Sequence, residues 1–421
     1  MAIDQSIEEE LERGSNLLMI ETLAPDQIAL PLRVCRIVTV PITFSTLLFR
    51  QIKAIADSGI ELTLVSSPGE ELDYVCSHYS LCGHSIQMAR SISPFPDLIA
   101  LIRLYWFLQT KHFDIIHSST PKAGLLAAIA ARFASIPIRM HTYTGQPWVE
   151  MRGIPRHITR TCDKIISVLE THCYADSASQ REFLINERVV HPGKISVPAE
   201  GSISGVDLAR FNAERWRADR VSTRAELNIP INAMVILFVG RVTQDKGISE
   251  LIDAFQALSL PDKDVHLVLV GPYEPDRDPL PISKSQLIEK HVRIHHVGFT
   301  RQPEKYMGIG DVFCLPSYRE GFGSVVIEAA AMGVPAVVTR IVGLTDAVVD
   351  GETGIWVSVK DANSLTDGLR IILSNDKLRE SMGDKARKRA REKFDANIVN
   401  TAVVQEYWNH YYHLKKKELR D

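Results

Sequence analysis

Short apolar, β-branched runs alternate with helix-period patterns through most of the chain. RVCRIVTV (33–40) reads as a buried strand. A helical pattern follows from Leu47 to Ser58, and Gly59 stands in the usual closing position. ELTLVSS (61–67), FDIIHSS (113–119), IRMHTY (138–143) and KIISVL (164–169) predict further strands, and KAGLLAAIAARFA (122–134) predicts a helix. The rhythm restarts with strand AMVILFVG (233–240), helix GISELIDAFQAL (247–258) and strand DVHLVLVG (264–271). VRIHHVG (292–298) and DVFCLPS (311–317) follow as strands, then a helix at SVVIEAAAMG (324–333) and a strand at PAVVT (335–339). Strand, helix, strand repeated in this way implies parallel pairing. The expected fold is therefore α/β, with two Rossmann-like, doubly wound parallel-sheet domains facing across a cleft.

The Gly- and Ser-rich GSISGVDLARF and the charged ERWRADR after it mark a boundary near 203–216. The expected division is an extension over 1–30, a first Rossmann-like domain over 31–205 and a second over 206–400. An aromatic-rich helix over 401–421, ending in a basic tail, is expected to pack back on the N-terminal domain.

Bulk properties narrow the class. A chain of 421 residues with 45% hydrophobic and 24% charged residues suits a two-domain globular protein. The formal net charge of -3 gives no basic field for nucleic acid, so an anion site must be local. The six cysteines, at 35, 76, 82, 162, 173 and 314, show no metal-ligand spacing and read as buried thiols in a reducing compartment. The N-terminus is acidic, unlike a secretory signal, and the longest apolar run, LIALIRLYWFL, is broken by Arg103. The expected location is the cytoplasm, with peripheral contact to the cytoplasmic face of the inner membrane as an option.

Two segments carry candidate chemistry. In FVGRVTQDKG (238–247) a strand ends at Gly240, and Arg241 and Lys246 fall in the turn before the next helix. A diphosphate needs cations and backbone N–H donors converging on one point, and Arg supplies a planar fork while Lys supplies a mobile point charge. In SYREGFGSVVIEAAAMGVP (317–335), Glu320 precedes Gly321, Phe322 and Gly323, and a helix starts near Ser324 with Glu328 one turn inside. Gly323 with that helix N-terminus makes an anion nest, Glu320 on the loop can accept hydrogen bonds from sugar hydroxyls, and Glu328 suits a ribose diol. The plainer alternative is a capping carboxylate and an ordinary helix glutamate.

These segments resemble retaining glycosyltransferases of the GT-B fold, in the large family four that includes bacterial polyprenol-linked glycan assembly enzymes. The family signature is a glutamate pair, present as EGFGSVVIE, and GQPW (145–148), GVDLARF (205–211), VGRVTQDKG and GETGIWV (351–357) stand in family order. The resemblance implies that Glu320, with the amides of Phe322 and Gly323, contacts the transferred sugar and that Glu328 binds ribose. It implies that Arg241 and Lys246 hold the leaving diphosphate, so no metal and no cofactor beyond a UDP-sugar donor is expected. The implied reaction carries a hexose or N-acetylhexosamine to a glycan acceptor, lipid-linked through a polyprenyl diphosphate, in surface polysaccharide synthesis, lipopolysaccharide included.

One position departs from the family. Members often carry a histidine directly before the acceptor-side glycine, whereas MHTYTGQPW places Thr144 before Gly145 and His141 three residues earlier. Either His141 takes over a polar contact to the sugar or it is a core histidine. His117 is a weaker candidate. Thr43 and Thr46, after the first strand, and Ser118 to Lys122, after a later one, are expected to line the acceptor side. Arg156, Arg160 and Lys164 recur every four residues, and with Trp148, Arg152, Trp106 and the LKKK tail they form a candidate face for an anionic membrane. A solvated basic stripe would look the same. Two other classes remain open on sequence: a non-catalytic nucleotide-sugar binder, suggested by Thr144, and a nucleotide-sugar epimerase on the same fold.

Overall fold

The computed structural model describes residues 31–89, 93–275 and 278–420, with Arg217 described by its backbone only, so the expected extension over 1–30 lies outside the described residues. Two wholly parallel sheets carry the chain from Arg33 onward. The first contains β1 (Arg33–Ile37), β2 (Glu61–Ser66), β3 (Cys82–Ser85), β4 (Ile115–Ser119), β5 (Ile138–Tyr143), β6 (His172–Ala175) and β7 (Ile195–Ser196), in the order β3-β2-β1-β4-β5-β6-β7. The second contains β8 (Met234–Val239), β9 (Val265–Val270), β10 (Ile294–Gly298), β11 (Val312–Leu315), β12 (Ala336–Thr339) and β13 (Gly354–Val357), in the order β10-β9-β8-β11-β12-β13. The central strands are buried on both faces, which is why their sequences are continuous apolar runs rather than alternating ones. Helices cover both faces, giving the two Rossmann-like domains of the GT-B fold.

The strand expected over 164–169 is instead the second half of a helix, Gly153–Leu169. Its buried positions Asp163, Ile166 and Ser167 follow helical spacing, and the helix packs against Pro121–Phe133 and the Trp148 turn. Ile165 and Val168 point outward. Tertiary packing here overrides the local β-branched preference. The short edge strands β3 and β7, and β6 beside β7, lack the apolar signal that marks the others: all of β3 is exposed.

The chain passes between the sheets twice, side by side. Val206 N donates to Phe394 O at 2.7 Å, and Ala396 N donates to Val206 O at 2.9 Å. The last helix, Ala396–Glu418, starts directly after this crossing rather than at 401 and packs against the helix Phe49–Asp57 of the first domain. Tyr407 anchors it, with its hydroxyl 2.6 Å from His117 Nδ1 and 3.4 Å from Arg36 Nη1. His117 Nε2 is 2.7 Å from Thr142 Oγ1, so both ring nitrogens are engaged, and burial pushes its pKa well down. His117 is therefore a structural tie between the last helix and the first sheet.

Candidate active site

Chain order reverses between β8 and β11, and the crevice at their carboxyl ends is where a doubly wound sheet binds its ligand. After β8 the chain turns at Gly240 and forms a single 3-10 turn, Gln244–Lys246, before the helix Ile248–Ala257. Gly247 lies between them at φ +70, and a Cβ there would sit 2.1 Å from Pro316 O. Only glycine allows this loop to press against the chain leaving β11. Tyr318 N completes the seam by donating to Asp245 O at 2.9 Å.

That seam brings opposite charges together. Lys246 Nζ lies 2.5 Å from Glu320 Oε1, which also accepts from Ser317 Oγ at 2.8 Å. Arg241 bonds Glu274 at 3.0 Å and Asp245 at 3.3 Å, and Arg319 reaches the same Asp245 oxygen at 3.3 Å. Burial opposes the Arg241 charge, but Asp245, Glu274 and Glu320 outweigh it and raise its pKa. The result is a half-buried, charge-compensated cluster whose cations are already oriented. Any anion that pairs with Lys246 competes with Glu320 for it.

The second wall is the start of the helix Ser324–Ala331. Gly323 precedes it in the left-handed region at φ +84, leaving the first N–H groups of the helix without a side-chain cap. Phe322 is buried, edge-on to Phe394 with ring centroids 5.1 Å apart, so the preceding loop is held by the core and not by solvent contacts. Glu328 keeps part of its surface open, yet burial pushes its carboxyl up to about 8, against the pull of Arg210 and with the help of Glu304. Arg210 itself bonds Glu304 at 2.8 Å.

Across the cleft, Thr144 and Gly145 meet this wall directly. A Cβ on Gly145 would lie 3.1 Å from Gly321 N, and one on Gly321 would lie 2.8 Å from Gly145 N and 2.9 Å from Asp176 Oδ2. Two bare backbones thus face each other between the domains. Ser177 Oγ donates to Gly321 O at 3.1 Å, and Gly343 N donates to Ser179 Oγ at 2.8 Å. Sequence reading missed this stretch, although DSASQ holds a helix-start signal: Ser177 Oγ accepts from Gln180 N. It also missed Ser317, Asp245 and Glu274, which are ordinary polar residues until the fold brings them to Glu320 and Arg241.

His141 does not belong to the site. Residues alternate across β5, and His141 points beneath the helix Pro121–Phe133, where it is 1% exposed. A Cβ on Gly124 would lie 2.4 Å from its ring, its Nδ1 is 2.8 Å from Ser118 Oγ, and burial followed by Arg36 lowers its pKa to about 3. It is a core histidine. Trp148 likewise leaves the proposed membrane face, since it is 1% exposed and donates from Nε1 to Asp163 at 2.7 Å. Arg156 and Arg160 lie over its ring. Thr43 lies within the short helix Ile42–Ser45 after β1, and Thr46 follows it with its hydroxyl on Ile42 O at 2.7 Å. Beside them a cavity of about 400 Å³ opens at the ends of β1 and β2, lined by Val40, Pro41, Ile42, Ser67, Gly69 and Met88 among others.

The family model described as glycosyl transferases group 1 matches residues 219–389, and one described as glycosyl transferase 4-like matches residues 35–154. The chain is 30% identical over 349 residues to the capsular polysaccharide biosynthesis glycosyltransferase CapM of Staphylococcus aureus, covering 83% of this chain and 90% of that one. It is 28% identical over 320 residues to the UDP-Gal:alpha-D-GlcNAc-diphosphoundecaprenol alpha-1,3-galactosyltransferase of Escherichia coli, covering 74% and 79% of the two chains. The crystal structure of Anabaena Alr3699/HepE in complex with UDP and glucose shares the fold at a TM-score of 0.74 and 17% identity, covering 90% of this chain and 100% of that one.

The fit at Gly247 is directly testable. Gly247→Ala is expected to cost about 2–5 kcal/mol of stability, because a left-handed alanine adds backbone strain to a clash with a carbonyl. Chemical denaturation measures it, and a loss below about 0.5 kcal/mol, the range of unremarkable surface changes, would contradict the close packing described.

Proposed function

As the chain belongs to the glycosyl transferases group 1 family, we propose that it transfers a hexose or N-acetylhexosamine from a UDP-sugar to a lipid-linked saccharide, with retention, in surface polysaccharide assembly. The observation that carries this reading is the Lys246–Glu320 pair at the mouth of β8 and β11, beside Arg241 and the uncapped helix start at Ser324. In this scheme Lys246 and Arg241 take the diphosphate and Glu320, released, accepts hydrogen bonds from the sugar hydroxyls. The amides of Phe322 and Gly323 line the same position, and Glu328 accepts the ribose diol. As the bond from the anomeric carbon to the diphosphate oxygen breaks, negative charge grows on that oxygen. The preoriented cations stabilise it there, without a metal in the step. The acceptor hydroxyl attacks from the face the diphosphate leaves, and its proton passes to the departing phosphate. No histidine base is required, in keeping with the position of His141.

The acceptor enters from the Thr43, Thr46, Thr144 and Gly145 side, next to the cavity at the ends of β1 and β2. No helix among the described residues is long and apolar enough to cross a membrane. A peripheral surface is nevertheless at hand. The helix Gly153–Leu169 exposes Ile154, Ile158, Ile165 and Val168 along one stripe beside Arg152, and the helix Pro94–Lys111 exposes Trp106 at 60%. Apolar side chains beside basic ones match an anionic bilayer that holds a polyprenyl-diphosphate acceptor. This stripe, and not Trp148, is the contact face.

Two measurements test the scheme. With a panel of UDP-hexoses and UDP-N-acetylhexosamines and a lipid-diphosphate sugar acceptor, one donor is expected to give a product whose anomeric configuration matches the donor by NMR. Glu320→Gln and Lys246→Ala are expected to lower kcat by about 10²–10³, the loss typical of a preorganised charge-stabilising group. No turnover with any donor would end the proposal, and conversion of donor without acceptor would favour an epimerase. The second measurement uses protons. The free Glu328 carboxyl, raised to about 8, is largely protonated at pH 7, and accepting two ribose hydroxyls favours its ionised form. UDP binding near pH 7 should therefore release a proton, seen in calorimetry as a dependence on buffer ionisation enthalpy. Glu328→Gln should abolish that dependence, and proton uptake by the wild type would contradict the role given to Glu328.

A further inference from the structure

The last helix carries a second constellation at the far end of the first sheet. His172 opens β6, at the strand end opposite the cleft. Glu406 and His410 are four residues apart on the helix Ala396–Glu418, so they share a face, and that face meets His172. The candidate ligand atoms of the three lie within 4.8 Å of one another. The two imidazole rings are 4.8 Å apart between centroids, and His410 Nε2 is 3.7 Å from Glu406 Oε2. Tyr174 donates its hydroxyl to Glu406 at 3.0 Å, and Ser196 Oγ lies 2.9 Å from His172 Nε2. Such outer contacts are what orient metal ligands in built sites.

We infer that His172, Glu406 and His410 form a binding site for a zinc-type divalent cation that clamps the last helix to the acceptor-side sheet. Two imidazoles and one carboxylate are a ligand set for zinc, cobalt or nickel and not for magnesium or calcium, which take oxygen donors. Zinc bonds of about 2.0–2.2 Å at tetrahedral angles place two ligand atoms about 3.4 Å apart, so the side chains need to close by about an ångström. Glu406 and His410 are partly exposed and free to do so. Lys194 is a nearby cation that opposes the ion, and its ammonium is bonded to the carbonyls of Ser167 and Val168. The site lies away from the cleft, so no step of sugar transfer passes through it. Its effect is on the helix that begins at the twin crossing.

The test uses the full chain, stripped with chelator and titrated with zinc or cobalt alone. The wild type should bind one ion at this site, give a visible cobalt d–d band without thiolate charge transfer, and unfold about 2–4 °C higher in excess zinc. Glu406→Gln, which keeps the Tyr174 contact, and His410→Ala should each weaken binding at least tenfold and remove the thermal shift. Zinc uptake that is absent or unchanged by both variants, or a thiolate band in the cobalt spectrum, would overturn the assignment. A magnesium titration should shift nothing, and a magnesium shift as large as that with zinc would also overturn it.

Discussion

The fit of Gly247 beneath Pro316 is the constraint on which the cleft depends. It joins the loop after β8 to the loop after β11, and no residue with a Cβ can take its place without moving one of them. Because those loops are joined, Lys246 meets Glu320, and Arg241 is enclosed by Asp245 and Glu274. The charges are compensated before any ligand arrives, which keeps a half-buried cluster affordable to the fold and leaves the cations correctly aimed. In the proposed transfer a diphosphate would substitute for carboxylates already in position, leaving little reorganisation for the reacting step.

The second domain pairing works by the same device. Gly145 and Gly321 touch backbone to backbone, and Ser177 and Ser179 add hydrogen bonds to the chain around Gly321 and Gly343. Side chains at either glycine would hold the domains apart. The paired crossing at Val206 and Phe394 and the returning helix anchored by Tyr407 limit how the domains can part. A closed cleft excludes water, the commonest competing acceptor for an activated sugar.

The central strands were legible because they are buried on both faces and so read as continuous β-branched runs, as β8 and β9 do. The edge strands were not, since β3 is exposed and β7 spans two residues. KIISVL misled for a physical reason: β-branched residues on a helix flank look like a strand until the packing partner at Trp148 is known. At the site, glycines and charged residues at strand ends were visible because turns and anion nests demand them. His141 was not separable from a cleft residue in sequence, because its fate depends on Gly124, on another element, leaving room for its ring. The carboxylates that hold Arg241 carry no local signal at all.

The exchange of partners at Lys246 is the point on which the whole scheme turns, and a crystal structure with UDP tests it most directly. The expected result has Lys246 Nζ and the Arg241 guanidinium on the diphosphate, the ribose on Glu328, and Glu320 released from Lys246. A diphosphate bound elsewhere, or one that leaves the Lys246–Glu320 pair intact, would contradict it.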